Sequence, residues 1–344
     1  MSISQRTNSS GKPPFLFRVA SDESRGFNST DEIDPPHGYN AQYHSDLASI
    51  PFDKTGQMVY DHLTSRFEAP SEVSSWSISL LEVLVRAVYK AHGKGEAEVL
   101  IYLMDTNALP ASNGLYKSED LVREYKVGWA KDILEFAKGE YLIHGKLHHT
   151  EGLWKAVDFN DLLAAGLGDA FLRLTNQSYV DQMFQRIKVL RMAYFRGPAT
   201  PLSTYLPVFR KPARCFGPTW EGAVIIALVT SRKRDLSEDS ADGLFSELQS
   251  HGTLLPQSSW CSDVSPRVFE CVNRDVKEGV QFVKLLYLLH RRGTAHAAIA
   301  RAAVTKPVQK PTVRHDVLLE GQESDCETSA KKRLRLACIR VIES

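Results

Sequence analysis

The run Val99-Leu100-Ile101-Tyr102-Leu103-Met104 is apolar on both of its alternating faces, with Glu98 and Asp105 at its ends. Such a strand is stable only when both faces are covered, so residues 98–105 read as the central strand of a sheet packed on two sides. A second extended segment places Phe15, Phe17 and Val19 on one face and Leu16 and Arg18 on the other. Residues 73–77 read as a short strand. Residues 140–144 and 153–157 read as two more, with His148-His149-Thr150-Glu151-Gly152 as the turn between them.

Between these strands the apolar period becomes helical. Met58, Val59, His62, Leu63 and Phe67 predict a helix over 54–67 that Pro70 ends. Leu80, Leu81, Leu84, Val85 and Val88 predict another, with Ser79 as its cap, Glu82 completing a capping box, and Gly93 and Gly95 as its stop. A helix is expected near 118–138. Residues 21–52, rich in Ser, Asp, Gly, Asn and Pro, read as a long loop. After residue 160, helical spacing recurs over 160–175, 179–195, 219–231 and 272–303, and Pro198, Pro201, Pro207, Pro212 and Pro218 punctuate the middle. The expected organisation is a polar, disordered tail over 1–13, an α+β domain over 14–160, a mainly α-helical region over 161–303 and a polar tail over 304–344. The tail ends in the basic cluster at 331–335, read as solvated rather than as a nuclear-targeting patch.

The formal net charge is +1, from 42 basic and 41 acidic residues among 344, so a nucleic-acid partner is not expected. Cys215, Cys261, Cys271, Cys326 and Cys338 are odd in number and form no CxxC pair, which reads as reduced thiols in an intracellular protein. No signal peptide opens the chain, and residues 223–229, the longest apolar stretch, are too short to span a bilayer. A cytoplasmic or nuclear location without membrane contact is expected. His144, His148 and His149 fit no standard zinc spacing, so no metal is assigned. Gly93-Lys94-Gly95 lacks the spacing of a phosphate loop. Asp61-His62 has no accompanying nucleophile motif and reads as helix packing, or as a hydrogen bond supporting a site.

Three polar words punctuate the strands in order: Arg18, Ser75-Trp76-Ser77 and Glu140. Arg, then Ser-x-Ser, then Glu resembles the signature of the cholera-toxin-like branch of ADP-ribosyltransferases, and neighbouring words resemble the heat-labile enterotoxin A subunit. Residues 17–22 are similar to its opening Tyr-Arg-Ala-Asp-Ser, residues 59–63 to its Leu-Tyr-Asp-His-Ala, residues 77–80 to the end of its Ser-Thr-Ser-Leu-Ser-Leu, and Gly152-Leu153-Trp154 to a Tyr-Gly-Trp strand. An uncharacterised fungal intracellular family opens much like Leu16-Phe17-Arg18-Val19. The resemblance covers roughly residues 15–160.

The resemblance implies an ADP-ribosyltransferase-like split β-sheet domain that takes NAD as substrate. Glu140 would stabilise the oxocarbenium-like ribose as nicotinamide leaves. Arg18 would hold an NAD phosphate or the adenine ribose, and Ser75 would position the Glu and the nicotinamide ribose. Trp76 and Ser77 complete the expected cofactor-binding set. Arginine-modifying members carry Glu or Gln two residues before the catalytic Glu, on the same face of an extended segment. Lys138 stands there, free to pair with Glu140 or a phosphate, so arginine is not the expected acceptor. Two readings follow: NAD cleavage or ADP-ribose transfer to a non-arginine acceptor, or an inactive module of this fold acting on an unknown protein partner.

Overall fold

A computed structural model of the protein describes residues 12–36, 43–64, 69–127, 131–174, 183–253 and 272–305. Residues 1–11 and 306–344 lie outside the described residues, and with them the basic cluster at 331–335; so do Cys261, Cys271, Cys326 and Cys338. The chain divides into two compact units, Met1–Ala297 and Ala298–Ser344, and every strand named below belongs to the first.

The protein is mixed α and β with antiparallel sheets. Six strands are arranged in the order β6-β7-β4-β1-β5-β9: β1 (Phe15–Ala20), β4 (Val73–Ser77), β5 (Leu100–Asp105), β6 (Leu115–Lys117), β7 (Glu140–His144) and β9 (Trp154–Asp158). A second sheet, β2-β3-β8, is built from Phe27–Asn28, Glu32–Asp34 and Leu147–His148. The segment 21–52 is therefore not one loop, and residues 148–152 are not only a turn. Both contribute short strands too brief to show a period of two. β5 is an interior strand, as its apolar faces demand, but it starts at Leu100 because Glu98 adopts a positive φ of 49°.

Each face of the large sheet has its own cover. Over β1, β5 and β9 lies α2 (Leu80–Val88), where Leu84, Val85 and Val88 share a core with Phe15, Phe17, Ile101, Leu103 and Val157. Over β4, β7 and β6 lie α1 (Phe52–Leu63), α3 (Ser118–Glu124) and α4 (Lys131–Ala137), whose Val59, Leu121, Val122 and Ala137 join Val73, Tyr116 and Leu142. The predicted helix near 118–138 is thus two helices. On the opposite face, Leu16, Trp76, Tyr102, Met104 and Tyr141 join Ile33 and Leu147 of the small sheet. Ser79 caps α2 as expected, its Oγ accepting from the Glu82 N–H at 3.1 Å. The capping box is not closed, because the Glu82 carboxylate is bonded to arginines instead. Beyond Val88 the helix runs on as a π-helical turn, Tyr89–Lys94, which passes through Gly93 and stops, as expected, at Gly95 with a φ of 67°.

The helices after residue 160 are α5 (Phe159–Ala164), α6 (Leu167–Ala170), α7 (Met183–Phe195), α8 (Leu206–Arg214), α9 (Pro218–Thr230), α10 (Glu238–Ser250) and α11 (Lys277–Thr305). Helix α8 starts with Pro207 in its first turn, where a missing N–H costs nothing. These helices enter the core of the sheet itself. Phe282 of α11 lies 6.4 Å from the Phe15 ring and 5.7 Å from the Phe17 ring, and Phe15 also meets Trp220 of α9 edge-on at 6.3 Å. One apolar cluster runs from Phe15 to Leu289.

Because Phe282 is fully buried against β1, Phe282→Ala should cost about 3–5 kcal/mol. The variant's urea melt should remain one transition when followed both by a probe of the sheet and by a probe of the helices. Separate transitions would contradict a shared core.

Candidate functional site

Strands β1, β4 and β7 are consecutive neighbours, which brings the three polar words of the sequence side by side. Phe17 pairs with Ser77, and Ser77 pairs with Glu140. The ladder between β1 and β4 consists of that one pair, whereas β1 pairs with β5 along all six of its residues and β4 with β7 along all five. Beyond Phe17 and Ser77 the sheet is parted, and the Ser75 carbonyl has no ladder partner on its β1 side. Arg18 occupies this gap. Its side chain leaves the face opposite Ser75, and Nη1 donates to the Ser75 carbonyl at 2.8 Å while Nη2 donates to Asn28 Oδ1 at 2.7 Å. Burial pulls the guanidinium down to about 10, with Tyr102 and Glu140 opposing, so it stays charged at neutral pH.

Ser75, Ser77 and Glu140 share the helix-covered face. Ser75 Oγ lies 2.6 Å from His62 Nε2, and its hydroxyl is close enough to Glu140 to favour the carboxylate. His62, in the last turn of α1, places Nδ1 2.9 Å from Ser71 Oγ. Burial, then the charges of Arg18 and Arg25, hold this imidazole down at about 3, so it is neutral and has one N–H to donate and one nitrogen to accept. Glu140 is 8% exposed. Burial raises its pKa, against the opposing pull of Arg86, the Ser75 hydroxyl and Arg18 and with the help of Glu82. Ser75, His62 and Ser71 are thus joined by hydrogen bonds, with Glu140 beside Ser75.

The remaining expected positions separate. Ser77 stays beside Glu140, and its Oγ accepts from the Ser79 N–H at 3.1 Å. Trp76 does not join them. Alternation along β4 turns it to the opposite face, where it is 1% exposed, donates Nε1–H to Ser74 Oγ at 3.1 Å and meets the Tyr102 ring at 6.4 Å. Lys138 is not on the face of Glu140 either. Gly139 has a φ of 74° and turns the chain, so Lys138 pairs with Glu135 and Asp275, each at 2.7 Å, rather than with Glu140. A Cβ at Gly139 would stand 2.8 Å from Val276 Cγ2, which makes this turn specific to glycine. His144 bonds Glu72 at 2.9 Å, His148 lies 3.3 Å from Glu32, and His149 Nε2 lies 3.0 Å from the Trp154 carbonyl oxygen. Among the described residues no three His, Cys, Asp or Glu side chains are arranged to hold a metal ion.

A cleft of about 250 Å³ opens where the sheet parts, lined in part by Arg18, Arg25, His62, Ser75, Arg86 and Lys90. A smaller cavity of about 50 Å³ continues to Glu82 and Glu140. The Nε atoms of Arg18, Arg25 and Arg86 are all buried and have no hydrogen-bond partner among the described residues. Arg18, Arg25, Arg86, Lys90 and Lys94 give the cleft an excess of positive charge over Glu23 and Glu96. Arg25 and Arg86 are absent from the sequence-based site. The available signal for Arg86 is that it and Glu82 are the two charged residues of an otherwise apolar α2. The π-helical turn brings Lys90 to the rim, where Nζ meets Glu96 at 2.7 Å and Ser21 Oγ at 3.0 Å.

A family model described as a domain of unknown function (DUF7587) matches residues 11–151, which span β1 to β8 and hold every residue of this cleft. No curated protein matches the chain, and no solved structure does. Among the described residues no helix is long and apolar enough to cross a membrane.

Since burial raises Glu140, its ionised form costs the folded state stability above its folded pKa, and that cost vanishes below the ordinary carboxylate range. Glu140→Gln should therefore melt higher than the parent at pH 8, by about 2 °C or more, and the gap should close as pH falls toward 3. A gap independent of pH in calorimetric scans would refute the assignment of a charged, buried Glu140.

Proposed function

We propose that the cleft binds NAD and that the protein cleaves the bond between nicotinamide and ribose, passing ADP-ribose to water or to an acceptor other than arginine. The observation that carries this reading is the convergence of Arg18, Ser75 and Glu140 on three adjacent strands of a sheet joined at a single pair, an arrangement that favours an ADP-ribosyltransferase-like split β-sheet. The arginine donors fit the diphosphate. Glu140, ionised, faces the sugar whose C1′ becomes electron-poor as the C–N pair leaves with nicotinamide. The acceptor's oxygen then bonds to C1′. Its proton passes to the Glu140 carboxylate, while the neutral His62 ring holds the Ser75 hydroxyl in place. Trp76 has no part in this step. Lys138, tied to Glu135 and Asp275, puts no carboxylate or amide two residues before Glu140 to orient an arginine acceptor.

Purified protein incubated with NAD should release free nicotinamide. Glu140→Gln should lower kcat by about 10²–10³-fold, the scale of losing one preorganised electrostatic group, with KM little changed. Arg18→Lys should raise KM, because an ammonium cannot reproduce the planar fork. Absence of both nicotinamide release and calorimetric NAD binding would sink the reading. A second reading is favoured by the mutual satisfaction of Ser75, His62 and Ser71 and by a cleft below the roughly 300 Å³ of ordinary small-molecule pockets. It is a non-catalytic module of the same fold that binds a protein partner, and it predicts no nicotinamide release at any pH.

A further inference from the structure

The helices after residue 160 reach the candidate site through charge as well as through packing. Ser79 Oγ, the cap of α2, donates to Glu278 Oε1 at 2.6 Å. Glu278 lies in the first turn of α11 and is 3% exposed. The same oxygen accepts from Arg191 of α7, at 2.7 Å from Nε and 2.7 Å from Nη2. Arg191 Nη2 also lies 3.4 Å from Glu82 Oε2, and Glu82 Oε1 accepts from Arg86 Nη2 at 2.7 Å. Glu82 and Arg86 line the small cavity that holds Glu140. Signs therefore alternate along a line of buried carboxylates and partly buried arginines: Glu140, Arg86, Glu82, Arg191, Glu278.

Arg191 is the member on which the balance turns. It compensates two buried carboxylates at once, and Arg86 is left to face both Glu82 and Glu140. Removing the Arg191 charge would commit Arg86 to Glu82 and leave a net negative field over Glu140. Interactions of this kind persist over such distances because the interior screens them weakly. The other groups facing Glu140 are Arg18 from β1 and Ser75 from β4, with His62 behind Ser75. Their hydrogen bonds go to Asn28, to Ser71 and to one another, all within the first 151 residues.

We infer that Arg191 is a positioning residue for the candidate site: through Glu82 and Arg86 it favours the carboxylate form of Glu140, so the region outside residues 11–151 acts on the charge of the site. The effect on turnover rests on the proposed NAD cleavage; the effect on Glu140 itself does not. The test is accordingly a stability cycle on the full chain. Glu140→Gln is introduced into the parent, Arg191→Met and Arg191→Lys backgrounds, and melting is followed from pH 3 to pH 9. If the inference holds, Gln at 140 raises the melting temperature at pH 8 more in the Met background than in the parent. The pH at which that gain levels off should also move up by about one unit. The Lys background, which keeps the charge, should behave like the parent. Equal gains in the parent and Met backgrounds, or equal behaviour of Met and Lys, would overturn it. If the Met variant does not fold, Glu82→Gln takes its place and must move the levelling pH down; no movement would overturn the inference equally. Where nicotinamide release is measurable, the acid limb of its pH profile should move up in Arg191→Met. A stability cycle that behaves as expected without nicotinamide release would remove the NAD reading and leave this inference standing.

Discussion

The guanidinium of Arg18 is what allows a sheet to come apart in its middle. Two strands that pair at a single residue leave carbonyl and amide groups facing a gap, and unsatisfied backbone groups away from water are costly. Arg18 enters sideways from β1 and donates to the Ser75 carbonyl across that gap, with Asn28 bracing its other end. A shorter side chain could not span the opening, and a lysine would lack the second planar donor. Once the gap is held, α1 and α2 can cover the two halves of one face separately. The seam between their covers is where His62, Ser75, Arg86 and Glu140 meet. The position of the site thus follows from the sheet's own discontinuity.

Much of this was legible in the sequence, because β1, β4, β7 and β9 carry enough alternation to be read and their polar residues interrupt it at meaningful places. The same alternation already set Trp76 apart from Ser75 and Ser77, since adjacent strand residues point to opposite faces. Lys138 misled for the converse reason: the two-residue rule holds only along an extended chain, and Gly139 breaks it with a positive φ. Proline concealed α8, where Pro207 occupies a first turn that tolerates it. Helix α10 carries a regular stripe of Ala241, Leu244, Phe245 and Leu248 and was readable, though its polar flanks masked it. The π-helical turn had no visible signal, because Gly93 and Gly95 read as a stop. Arg25 reaches the cleft from a segment with no period at all.

The ion chain that runs from Glu140 to α11 shows how a helical cover can matter to a site that none of its side chains lines. Buried pairs of this sort contribute little net stability, since desolvation offsets much of their attraction. Their influence is on which protonation states are accessible. Ser79 is the pivot. It caps α2 through its oxygen and meets Glu278 through its proton, so the start of the helix that carries Arg86 is fixed by α11.

The single Phe17–Ser77 pair also has a mechanical meaning. A ladder of five or six pairs resists rotation of one strand about its neighbour, and one pair acts as a pivot. The β1-β5-β9 and β6-β7-β4 blocks are tied across the seam by that pair, by the Arg18–Ser75 bond and by the apolar face that Leu16 and Tyr102 share with Trp76 and Tyr141. Of these ties only the guanidinium is charged, so a change of charge in the cleft would act on the seam through that side chain alone.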